Sequence, residues 1–225
     1  VTIWNEFRHE KMDEECNKIY PGGLHNVLKK YLEVNEDFEI TLAALDDPDQ
    51  GLPDEVLNNT DVLMWWGHMS HHEVDDALVA RILDRVRREG MGFIAMHSSH
   101  ASKPFDQLVG STGSLSWGEI MWTLLPSHPI AKGIPANFHL ESEELYSEPF
   151  CIGNPDDVVF AGWYETGNVM RSGVTFQRGL GKIFYFQPGH EYCHSFHNKY
   201  VIQILANAIR WAAPTAGFVD PGMPM

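Results

Sequence analysis

Apolar positions along the chain change period several times, and each change marks an element. Val1 to Glu6 reads as a strand, and Gly22 to Asn35 as a helix with Leu24, Val27, Leu28, Tyr31 and Leu32 on one face. Phe38 to Leu45 gives a second strand, followed by a Pro/Asp/Gly loop. Asp61 to Gly67 (DVLMWWG) is apolar throughout, the pattern of a parallel strand buried on both faces. Glu73 to Glu89 carries a helical stripe of Val74, Ala77, Leu78, Ile82 and Val86. Acids occupy its first turn, Arg85, Arg87 and Arg88 lie near its end, and Gly90 stops it, all in keeping with the helix dipole. Met91 to His97 is a fourth strand. This alternation predicts an α/β, doubly wound, mostly parallel sheet with right-handed crossovers.

The middle of the chain has another rhythm. Glu119 to Leu125, Phe138 to Tyr146, Val158 to Trp163 and Val169 to Gln177 read as strands between Pro- and Gly-rich turns. Arg178–Gly181 joins Val169–Gln177 to Lys182–Gln187 as an added β-hairpin. Asn198 to Ala212 is a final helix with Val201, Leu205, Ala208 and Ala212 on its apolar face, and the tail PTAGFVDPGMPM is too rich in Pro and Gly to be regular. No repeat appears, so residues 1–225 are expected to form a single domain. A chain of 225 residues buries roughly 70% of its unfolded surface and needs no disulfide to hold a core.

Charge narrows the partners. A net charge of −15 argues against nucleic acid and anionic membrane surfaces, whose phosphates it would repel. The apolar runs are strand-length, so no membrane span is expected. Cys16, Cys151 and Cys193 are far apart and odd in number, which points to a reducing cytoplasm. The chain opens on the strand pattern Val1–Trp4, so no signal peptide is expected. The Pro/Met tail and the hairpin region offer apolar surface for a homo-oligomer.

The twelve histidines gather at element ends. His9 follows the first strand, with Glu6 just before it. His68, His71 and His72 follow the third, His97 and His100 the fourth, and His190, Glu191, His194 and His197 follow Lys182–Gln187. Open α/β sheets bind ligands outside the carboxyl ends of their strands, so four segments deliver imidazoles and carboxylates to one edge. Imidazole serves there as metal ligand or general base. Trp65, Trp66, Trp117, Trp122 and Trp163 are core residues or sugar-stacking platforms; His25, His128 and His139 read as structural.

Two motifs invite other readings. His190–Glu191–Tyr192–Cys193–His194 matches the zinc-peptidase string H-E-x-x-H, whose chemistry requires both histidines on one helix face. Here the string follows a strand and the Pro188–Gly189 turn. Ser98 and Ser99 stand where α/β enzymes carry a nucleophile, without the glycines of G-x-S-x-G.

Several strings carry a family resemblance: Trp4–Asn5–Glu6, Trp65–Trp66–Gly67–His68, Gly90–Met91–Gly92 running into His97–Ser98, and Ser127–His128–Pro129–Ile130. Glu143–Glu144–Leu145–Tyr146, the run from Gly181 to Glu191, and Asn207–Ala208–Ile209–Arg210–Trp211 complete them. Over nearly its full length the chain resembles the ThuA-like, trehalose-utilisation family, which shares the fold of class I glutamine amidotransferases. The resemblance implies a flavodoxin-like sheet and singles out His97, Glu144 and His190, with Glu191 at a position usually acidic and His68 in a longer-motif subset. The amidotransferase class needs a cysteine elbow after the fourth strand, where this chain has His97–Ser98–Ser99, so glutaminase activity is not expected.

The resemblance also implies turnover of trehalose, other disaccharides or oxidised (3-keto) sugars. The leading expectation is an enzyme of sugar utilisation with His97, Glu144, His190 and Glu191 catalytic. Glu6, Trp66 and Ser98 would contact the sugar, and His68, His97 and His190 would hold a divalent metal, zinc foremost. The alternatives are a non-catalytic sugar-binding or regulatory module, and a zinc-dependent peptidase.

Overall fold

The computed structural model describes residues 1–110 and 115–214; the Pro- and Gly-rich tail lies outside them. The strands are β1 Thr2–Asn5, β2 Thr41–Ala44, β3 Val62–Trp66, β4 Gly92–Met96, β5 Leu115–Thr123, β6 Asn137–Tyr146, β7 Asp157–Tyr164, β8 Val169–Arg178 and β9 Gly181–Phe186. The helices are α1 His9–Met12, α2 Glu14–Ile19, α3 Leu24–Leu32, α4 Asp54–Asn58, α5 Asp76–Glu89, α6 Lys103–Leu108 and α7 Lys199–Ala212.

One sheet runs in the order β2-β1-β3-β4-β9-β8-β7-β5-β6. Its first five strands are parallel. That half has the 2-1-3-4-5 order of a flavodoxin-like sheet, with β9 in fifth place. From β9 onward every pairing is antiparallel. The sheet is therefore mixed, and the four strands expected in the middle of the chain form its antiparallel extension, β8, β7, β5 and β6. The turn expected at Arg178–Gly181 does join β8 to β9.

Strand residues alternate between two cores, as the period of two requires. Ile3, Met64, Trp66, Ile94, Met96, Phe184 and Phe186 pack on one face with Leu24, Leu28 and Leu32 of α3 and the apolar stripe of α7. Trp4, Leu63, Trp65, Phe93, Ala95, Ile183 and Tyr185 pack on the other with Leu78, Ile82 and Val86 of α5 and Phe105 of α6. Burying each such side chain contributes about 1.5–3 kcal/mol, and this two-sided burial keeps the strand ends rigid. Asp75 caps α5 by accepting the Ala77 N–H, and Gly90 ends it at φ +79°, a left-handed conformation that glycine adopts without strain.

The extension curls over the carboxyl ends of the parallel strands. Three strands separate β9 from β6 in the sheet, yet Glu143 at the end of β6 accepts the backbone N–H groups of Gly189 and His190 just after β9. Among the described residues no helix is long and apolar enough to cross a membrane.

Candidate active site

Five strands deliver side chains to one edge. Glu6 and His9 follow β1, His68 follows β3, His97 follows β4, His190 and Glu191 follow β9, and β6 ends on Glu143, Glu144 and Tyr146. His97 takes the sharp strand-to-helix turn after β4 with φ +53°, a conformation unusual for a residue with a side chain. It thus holds the elbow position at which α/β enzymes display a nucleophile.

The donor atoms form two neighbouring groups, His97–Glu144–His190 and His9–His68–Glu191; within each group they lie within 4.8 Å of one another. The three histidines expected to ligate one metal are thereby divided. His68 joins His9 and Glu191, although its ring stands only 5.9 Å from His97 and 5.8 Å from His190.

In the first group, His97 Nδ1 lies 3.0 Å from the Gln187 carbonyl oxygen. A carbonyl only accepts, so Nδ1 carries a proton and Nε2 is the nitrogen turned toward Glu144. That Nε2 lies 3.1 Å from Glu144 Oε2 and 3.3 Å from the Tyr146 hydroxyl, which itself donates to Glu144 Oε2 at 2.8 Å. His190 is arranged the other way. Its Nδ1 accepts the Tyr192 N–H at 3.1 Å, so the neutral ring carries its proton on Nε2, between Glu144 Oε2 at 3.5 Å and Glu191 Oε2 at 3.8 Å.

The electrostatics follow from burial and neighbours. Burial, then repulsion from His97, lowers the His190 pKa to about 4, so the ring is neutral near pH 7. For Glu191 burial pushes upward, but the His68 hydrogen bond and the surrounding imidazoles of His190, His68 and His9 prevail and hold the carboxyl at about 2. Glu144 is likewise held below its ordinary value by His97 and His190 against the pull of burial. Burial disfavours the charged form of His68, yet Glu191 raises its pKa overall.

In the second group, His68 Nδ1 and His9 Nε2 both address Glu191 Oε1, at 3.1 and 3.2 Å. The set of two imidazoles and a carboxylate suits zinc. His9 Nδ1 and Glu191 Oε2 are buried without a hydrogen-bond partner among the described residues, which is room for a further charge.

The three residues expected to touch substrate stand behind this surface. Glu6 spends its carboxylate on the N–H groups of His68, Met69 and Ser70, at 2.7 to 3.0 Å, and so fixes the loop after β3. Trp66 is buried and donates to the Gly189 carbonyl at 3.0 Å, and Ser98 donates to the Gly67 carbonyl at 2.8 Å. Trp65 stacks on Trp4 in the core, Trp122 and Trp163 lie exposed on the extension, and the Trp117 side chain lies outside the described residues.

Four contributors were given no site role from sequence. Glu143, Tyr146 and Gln187 carried no signal beyond their neighbours, and His9 showed only its place after β1. The peptidase reading is overturned. His190 to His194 form an irregular turn rather than a helix, and the His194 ring packs beside His197. Cys193 lies in that turn, buried, with its thiol pushed up to about 12 by burial, so it is no ready thiolate.

A sequence profile described as trehalose utilisation (ThuA) matches residues 1–212. No curated protein matches the chain. Among solved structures, a ThuA-like protein from Parabacteroides merdae ATCC 43184 is 15% identical, with 94% of this chain and 88% of that one covered at a TM-score of 0.67. A ThuA-like protein from Bacteroides uniformis ATCC 8492 is 16% identical, with 93% and 89% covered at 0.62. A glutamine amidotransferase from Thermotoga maritima is 9% identical, with 94% and 97% covered at 0.55. At these identities the structural likenesses show the fold alone.

Proposed function

The chain belongs to the trehalose-utilisation (ThuA) family, and from that premise we infer that it is an enzyme of disaccharide utilisation that moves a proton next to the carbonyl of a keto-sugar. The observation that carries this reading is the pairing of two oppositely arranged imidazoles in one group: His97 holds its Nδ1–H on a carbonyl, which leaves Nε2 as the nitrogen that exchanges a proton, and His190 carries its N–H on Nε2.

Those are the two functions that proton abstraction beside a carbonyl requires. His97 Nε2 takes the proton, and the electron pair passes to the sugar oxygen, which accepts a hydrogen bond from His190 Nε2–H. The imidazolium formed on His97 is stabilised by Glu144 at 3.1 Å, and the Tyr146 hydroxyl holds that carboxylate in place. Glu191 orients His68 on the solvent side. A divalent cation such as zinc, held in this histidine cluster, would when bound polarise a carbonyl or acidify a water. No thiolate stands at the elbow, so the amidotransferase reaction is not part of the proposal.

The test is turnover of trehalose and of its 3-keto derivative, followed by NMR in heavy water so that proton exchange is seen as well as product. The expected outcome is exchange or turnover of the keto form by the native chain, reduced about 10²- to 10⁴-fold in His97→Ala and His190→Ala. Unchanged turnover in both variants refutes the assignment. Binding of sugar without exchange or turnover supports instead a sugar-binding module. That second reading draws on one observation: His97, Glu144 and His190 are nearly closed to solvent, at 0, 6 and 5% exposure.

A further inference from the structure

His9 sits between two carboxylates. Its Nε2 is 3.2 Å from Glu191 Oε1, and its Nδ1 is 3.8 Å from Glu6 Oε1 and has no hydrogen-bond partner among the described residues. A neutral imidazole has one N–H and one lone pair. Whichever nitrogen carries the proton, the other turns a lone pair toward an oxygen anion. A cation between Nε2 and Glu191 removes that conflict and leaves the ring proton on Nδ1, on the side of Glu6.

The neighbouring distances favour the cation. His68 Nδ1 and His9 Nε2 converge on the same oxygen of Glu191, at 3.1 and 3.2 Å. Ligands about 2.0–2.1 Å from a tetrahedral ion stand about 3.3 Å apart, so these spacings, which also suit hydrogen bonds, need little change to become those of ligand atoms sharing a metal. The second Glu191 oxygen is buried and unbonded, free to complete the coordination. Glu6 lies behind His9, in the position of the carboxylate that commonly receives the outer N–H of a metal-bound imidazole. Three protein ligands leave a position for water or substrate, and the His68 side chain, 30% exposed, opens that position to solvent.

We propose that His9, His68 and Glu191 form a mononuclear divalent-cation site of the zinc type, with Glu6 as its outer carboxylate, while His97, Glu144 and His190 stay free of metal. The inference deepens the reading of this edge as an active site but rests on donor geometry, not on the sugar. Proton-moving groups and cation then stand side by side, bridged by His190 between Glu144 and Glu191. In the His97 group the donor accounting runs against metal: the proton of neutral His190 already occupies the nitrogen that faces the carboxylates.

The experiment uses the full chain, stripped with chelator and titrated with zinc chloride by calorimetry, then loaded with cobalt(II) for its visible spectrum. One zinc per chain is expected, with the intense bands of a tetrahedral cobalt site. His9→Asn, His68→Asn and Glu191→Gln should each weaken zinc at least about a hundredfold, Glu6→Gln roughly 10- to 100-fold, and His97→Asn should leave stoichiometry and spectrum in place. Absence of zinc binding by the native chain overturns the site. So does loss of the metal in His97→Asn with retention in His9→Asn. Should a variant unfold, the native cobalt spectrum and stoichiometry still decide between a metal and none, and the proton resonances of His9 identify it as ligand. Zinc bound as expected by a chain that alters no keto-sugar would sink the reading of function and leave the metal site standing.

Discussion

Glu143 and Glu144 are chain neighbours with opposite tasks, because successive residues of a strand face opposite ways. Glu144 meets His97 and His190. Glu143 is fully buried and accepts from the backbone N–H groups of Glu144, Gly189 and His190 and from the Ser195 hydroxyl, tying the loop after β9 to β6. Burial raises its pKa, opposed by the nearby His97 ring and by these hydrogen bonds. Replacing it by alanine strands several buried donors at once, so Glu143→Ala should lose about 3–5 kcal/mol of stability in urea unfolding, with Glu143→Gln losing less. A loss below about 1 kcal/mol in the alanine variant would rule out this clamp. The string Glu143–Glu144 was visible in the sequence, but the direction of each side chain depends on the strand register and could not be read there. His97, His190 and Glu191 were legible because several strand ends converge on one edge. The division of His68 from His97 was not, since it depends on which nitrogen of each ring faces which oxygen.

At the scale of elements, the sequence was most legible where a period ran for several turns or where a strand was apolar throughout. α5, α7 and the parallel strands stand within a few residues of their expected bounds. α1, α2, α4 and α6 were missed: at four, six, five and six residues they complete fewer than two turns, too little for a helical period to show. The strand Phe38–Leu45 shrank to Thr41–Ala44, and the helix Gly22–Asn35 to Leu24–Leu32, whose start is delayed because Gly22 and Gly23 adopt positive φ. The order of β5 to β8 was not legible either, since antiparallel strands of similar composition can exchange places. α7 shows how a start signal becomes energy. Asn198, expected as the first helical residue, is the cap, accepting from the N–H of Tyr200 at 2.9 Å and of Val201 at 3.4 Å. Asn198→Ala should therefore cost about 1 kcal/mol, and Asn198→Asp should recover most of it, read as shifts in thermal midpoint. Equal midpoints for all three proteins would show that the packed face of α7 fixes its start without the cap.

Across the whole molecule, two opposing electrostatic effects determine how stability responds to acid. The net charge of −15 repels itself near neutral pH, and acidification toward the isoelectric point of about 5.1 relieves that repulsion. Buried histidines act in the other direction. Burial lowers His25 and His100 from an ordinary 6.5 to about 4, with His25 Nδ1 placed against the Asn5 amide at 3.0 Å and His100 packed edge-on against Tyr146. Between about pH 6.5 and 4 the unfolded chain binds protons at these sites that the folded chain refuses, so stability rises with pH across that window and is lost on descending it. Each group contributes up to about 1.4 kcal/mol per pH unit and about 3 kcal/mol over the window. Diffuse surface repulsion is screened by salt, whereas buried histidines are little affected, so the two effects separate by ionic strength. In about 1 M salt, urea unfolding should show a plateau above pH 7 and a decline from about 6.5 to 4, and His25→Gln should flatten that decline by about the share of one proton. Stability that stays level or rises on acidification in high salt would mean that these rings take up protons in the folded chain, and that the polar edge admits charge its burial argues against.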